Sequence, residues 1–64
     1  MAILYKLPIV MAETTFSRSH IYALAQKGEF PKPIKLSERS SAWVESEVLD
    51  WIGARIALRD MEAA

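Results

Sequence analysis

Apolar residues recur at helical spacing in three stretches of the chain and alternate with polar ones in a fourth. Ile21, Leu24 and Ala25 form an i, i+3, i+4 stripe, the pattern of a short helix with one buried face. Val48, Leu49, Ile52 and Ile56, widened by Trp51 and Leu58, form a broader stripe and predict a final helix that lids the core. Earlier, Val10 and Met11, with Leu7 at the start, are core candidates for a first helix of about two turns. Ile34-Lys35-Leu36 alternates apolar, basic, apolar, as a half-buried strand does. Ala42-Trp43-Val44 returns as its partner, and Ile3-Leu4-Tyr5 is compatible with a further brief strand. The predicted fold is mainly α with a small β-hairpin.

Punctuation residues set the element ends. Pro8 stands where a helix start tolerates a missing N–H, and Glu13-Thr14 closes that first segment. Thr15-Phe16 is then a connection short enough only for a tight helix–turn–helix, with Thr15 where glycine suits a positive φ best. Ser17 is the expected N-cap of the second helix, about residues 17–27, and Phe16 with Ile21 has the spacing of a hydrophobic staple. Gly28 is the expected left-handed terminator, and Pro31 and Pro33 around Lys32 forbid continuation. Phe30 is a core candidate. Ser37 to Ser41 reads as a polar linker at the tip of the hairpin, a wing of about residues 35–43. Ser46 is the expected cap of the last helix, Glu47 to about Arg59, with Asp60–Ala64 fraying. Three helices plus a wing give one small domain over residues 1–64, its core about 4–59.

Composition narrows the chemistry. Sixty-four residues bury only about 60% of their unfolded surface, so stability is thin. There is no cysteine, and His20 is the only histidine, so neither a zinc cluster nor a thiol nucleophile is expected. Glu45, Glu47 and Asp50 fall at a helix start, where acidic residues suit the dipole. With no second catalytic group beside them, no enzyme, cofactor or small-molecule substrate is expected. No apolar run approaches the ~20 residues of a membrane span, and the expected compartment is the cytoplasm.

Charge changes this picture more than composition does. The formal net charge is zero, yet it is unevenly spread. Residues 1–39 carry six cations against three carboxylates, and residues 40–64 carry two against five. A domain polarised in this way can hold a polyanion on one side. On the second helix, Ser19, Tyr22, Ala23 and Gln26 lie opposite the apolar stripe, with Arg18 and His20 flanking them. Such side chains bond phosphates and base edges. Ser17, Arg18, Ser19, His20 and Tyr22 are therefore candidate DNA contacts. Lys27, Lys32, Lys35 and Arg39 are candidate phosphate contacts.

The ordered set Leu7-Pro8, Ser17-Arg18-Ser19 with Ile21-Tyr22, Gly28-Glu29-Phe30-Pro31-Lys32-Pro33, Lys35-Leu36, and Trp43 followed by Glu45-Ser46-Glu47-Val48 and Trp51 resembles the AlpA family. These are small phage and prophage regulators, relatives of excisionase and MerR-type winged helix–turn–helix domains. The resemblance spans about residues 4–56. It implies a winged helix–turn–helix that binds double-stranded DNA and regulates transcription, with the second helix in the major groove and the wing on the backbone. It also implies an alternative, an excisionase-like architectural factor in recombination. A rival of another class is a protein-interaction module, such as an anti-regulator, using Ile9 and the acidic last helix. A homodimer or cooperative assembly on DNA is expected because one small module offers limited contact area. Three positions depart from the family pattern: Thr15 for a turn glycine, Ser37-Glu38 in a wing that is often glycine-rich, and Ile9 where an acidic residue is common.

Overall fold

The computed structural model describes residues 1–63 and, within the last helix, no side chain beyond Glu62. Strand β1 (Leu4–Tyr5) leads into helix α1 (Leu7–Thr14), then α2 (Arg18–Gln26), β2 (Ile34–Ser37), β3 (Ser40–Val44) and α3 (Glu45–Ala63). β3 is central in an antiparallel sheet ordered β1-β3-β2, with Tyr5 opposite Trp43 and Ile34 opposite Ala42. Three helices and a hairpin wing make this a winged helix–turn–helix. The brief N-terminal strand extends the predicted hairpin to three strands.

The three helices, the linker after α2 and the central strand each send one side chain to the centre. Val10 of α1, Ile21 of α2, Phe30 of the linker, Trp43 of β3 and Val48 of α3 form the buried cluster, all between 0% and 3% exposed. Tyr5, Leu7, Met11, Phe16, Leu24, Trp51 and Ile52 pack around it. With so few residues fully buried, each carries a large share of the ~25 cal/mol per Å2 that apolar burial supplies.

The helix–turn–helix is built as the punctuation predicts. Pro8 lies in the first turn of α1. Thr15 adopts φ 63°, and its N–H bonds the Met11 carbonyl. Ser17 caps α2, its Oγ accepting the His20 N–H at 3.3 Å. At the other end Gly28 has φ 77°. The Gly28 N–H bonds Ala25 O at 3.1 Å and the Glu29 N–H bonds Leu24 O at 2.9 Å, the paired closure of a Schellman motif.

Five expectations are corrected. β2 is a strand but not half-buried, since all four of its residues are exposed, Leu36 at 53%. An edge strand beyond the reach of the helices has nothing to bury against. The polar linker shrinks to a turn at Glu38-Arg39, because β3 begins at Ser40. Neither turn residue has positive φ; a register shift between Lys35 and Ser37 takes up the mismatch, as bulges do. α3 starts at Glu45, so Ser46 sits inside its first turn and is not the cap. The Ile3 carbonyl accepts the Glu45 N–H at 2.9 Å instead. Lastly, Asp60–Ala63 are helical where fraying was expected, with Ala64 outside the described residues. The lid is also narrower than the stripe: Val48, Trp51 and Ile52 reach the core, whereas Leu49, Ile56 and Leu58 stay exposed.

Candidate nucleic-acid interface

Burial of Ile21 and Ala25 fixes the roll of α2 about its axis. At about 100° per residue, Ser19, Ala23 and Gln26 then point directly away from the core, and all three are exposed. Arg18 and His20 fall on opposite flanks of that face. On one flank, Tyr22 meets Trp43 of β3 edge-to-face, ring centroids 5.8 Å apart. Tyr22, Gln26 and Lys32 line a cleft there with Ala25 and Pro33. On the other flank, His20 lies 4.3 Å from the Phe16 ring and shares a cleft with Leu24, Glu29, Trp51 and Arg55. The structure thus brings Tyr22 and Lys32 together and sets His20 apart from them, facing α3.

The start of α2 offers more than side chains. The first N–H groups of any helix lack intrahelical acceptors, and Ser17 takes up that of His20. Those of Arg18 and Ser19 lie at the positive end of the helix dipole, a geometry that suits an anion. Lys27 occupies the C-cap at the far end.

Two indoles hold the segment between α2 and the wing. Trp43 Nε1 donates to the Pro31 carbonyl at 2.9 Å, and Trp51 Nε1 donates to the Glu29 carbonyl at 2.8 Å. Phe30, between those two carbonyls, is buried and sits 4.9 Å from the Trp51 ring. This proline-flanked linker is therefore pinned at both ends, and the exposed Lys32 leaves from a fixed point. The sequence pattern set Trp43 in a strand and Trp51 on the core-facing stripe of the last helix but gave no sign of these bonds. Nothing in the chain order says which carbonyl an indole will meet.

The cations stand alone. Among the described residues the ion pair within 4.0 Å is Arg59–Asp60, so Arg18, Lys27, Lys32, Lys35 and Arg39 have no carboxylate partner at that range. Lys35 lies on β2 and Arg39 in the turn. Glu38, beside them, is equally unneutralised. No group of three or more metal-ligating side chains is found among the described residues, and no described helix is long and apolar enough to cross a membrane.

The architecture agrees with what comparison finds. A family model described as "Prophage CP4-57 regulatory protein (AlpA)" matches residues 4–56, from the first strand to the middle of α3. The chain belongs to the AlpA family. A relative, "Uncharacterized protein ORF88" of Enterobacteria phage P4, is 46% identical over 54 residues, which is 84% of this chain and 61% of that protein. The chain spans about three fifths of that relative's length. The AlpA match takes in α1, the turn, α2, the pinned linker, the wing and the part of α3 that touches the core. The far end of α3 lies beyond it.

Proposed function

We propose that the protein is a sequence-specific DNA-binding regulator of prophage type, which lays α2 in the major groove and rests the wing on the phosphate backbone. The observation that carries this reading is the outer face of α2: Ser19, Ala23 and Gln26 are exposed along it, on a helix closed at both ends. Arg18 and Ser19, at the N-terminal end of that helix, read base edges in this arrangement. Ser17 anchors the end of the helix on phosphate. Tyr22 bonds the backbone through its hydroxyl while its ring leans on Trp43. His20, turned toward Phe16, is a flanking contact. Lys27, Lys32, Lys35 and Arg39 hold phosphates. The family's description as a regulatory protein supports the regulatory role.

Reading and holding separate experimentally. Arg18→Ala costs on the order of 1–3 kcal/mol at a preferred site and relaxes the preference there. Lys35→Ala weakens all sequences alike and lowers the salt slope by about one unit. The experiment is titration of both variants against a selected duplex and a scrambled one at several salt concentrations. Equal weakening of both duplexes by Arg18→Ala, with loss of preference in Lys35→Ala, reverses the roles. No binding by the parent chain removes the reading altogether.

A further inference from the structure

α3 has 19 residues and is about 28 Å long at 1.5 Å per residue, yet only Val48, Trp51 and Ile52 in its first half join the core. Along one side, Leu49, Ile52 and Ile56 recur at three- and four-residue steps, with Leu49 43% and Ile56 46% exposed. That is the spacing of a helix–helix seam. Arg59 continues it, and Glu45 begins it one turn before Leu49. Leu58 and Met61 fall on other sides of the helix.

A second feature lies at the middle of this seam. Gly53 sits inside α3, where glycine costs roughly 1 kcal/mol relative to alanine. Its φ is ordinary, and a Cβ placed there meets nothing within 4 Å. The fold of one chain gives no reason for it. A second backbone passing close by would.

We propose that α3 pairs antiparallel with α3 of a second copy of this chain along Leu49, Ile52 and Ile56, with the helices closest near Gly53. Within the seam, Glu45 at one end and Arg59 at the other make it complementary to a reversed copy of itself. With Ile52 against the partner's Ile56, Arg59 lies opposite the partner's Leu49, one turn from its Glu45. The basic end of each seam then meets the acidic end of the other. Parallel pairing would set Arg59 on Arg59 and Glu45 on Glu45. The exposed Arg59–Asp60 contact, 2.8 Å within one chain, is of the weak surface kind and leaves the guanidinium able to turn. Pairing needs no DNA, so its failure leaves the role of α2 untouched.

Sedimentation of the whole chain without DNA tests this. The parent is expected to pass from monomer to dimer as its concentration rises. Ile56→Glu stays monomeric with unchanged helicity and melting, since Ile56 supports nothing in its own chain. Gly53→Ala raises the melting temperature of dilute monomer yet weakens dimerisation several-fold, opposite signs that a purely structural glycine would not show. Leu49→Lys and Arg59→Glu each weaken self-association, and mixing the two restores a heterodimer. A parent still monomeric at several hundred micromolar overturns the proposal and leaves the seam to a different protein. A dimer indifferent to Ile56→Glu, or to Gly53→Ala, overturns it as well and moves the contact to another face.

Discussion

Thr15 shows how one residue can be legible in the sequence and still carry a cost. The two-residue connection between helices demanded a left-handed position, and the structure puts Thr15 there at φ 63°. A side chain in that region costs roughly 1–2 kcal/mol, partly offset by glycine's larger chain entropy. Thr15→Gly is therefore expected to stabilise the domain by about 0.5–1 kcal/mol and raise its melting temperature by a few degrees. A lower melting temperature would mean that the threonine hydroxyl contributes more than the strain removes. Tyr5 is a residue whose environment could not be read from sequence. It is half-buried beside Trp43, and burial first, then the charges of Glu45 and Glu13, hold its phenol above the ordinary 10.0. The folded state thus favours the protonated form. Its contribution is intact below about pH 10 and lost as pH rises through the folded value. Urea unfolding across that range should show stability falling more steeply for the parent than for Tyr5→Phe; parallel curves would remove Tyr5 as the cause.

Elements were legible where punctuation is strong and obscure where neighbours decide. α2 has a serine before it and a glycine after it, and both ends formed as those residues dictate. α3 lacks such marks. Ser46 attracted the cap assignment, but β3 runs straight into the helix and a backbone carbonyl from β1 takes the first N–H. The alternation in Ile34-Lys35-Leu36 correctly announced a strand. It could not announce that no element would cover it. The core elements meet at Trp43, which fills the centre, bonds the linker through its indole and supports Tyr22. Trp43→Ala should cost roughly 3–5 kcal/mol, about the whole reserve of so small a domain. The variant is expected to be largely unfolded at room temperature by circular dichroism. A cooperative melt near the parent's would show that the linker and wing hold without it.

At the scale of the molecule, the excess of cations in the first 39 residues has a structural counterpart: among the described residues, none of those cations has a carboxylate within 4.0 Å. Within the wing the opposite sign is carried by Glu38, exposed in the turn between Lys35 and Arg39. Glu38→Gln should tighten binding to any DNA sequence at low salt and leave the ranking of sites unchanged. Unaltered affinity would place the wing away from the backbone. The contact between Ile3 and Glu45 has a further effect, in time rather than space. During synthesis the carbonyl that starts α3 leaves the ribosome well before the helix it serves. The two helices and the wing, made in between, cannot complete the core without Val48 of α3. A nascent chain stalled before residue 45 therefore displays an unfinished apolar centre. Release of α3, rather than growth of α2, is the event that makes the domain whole.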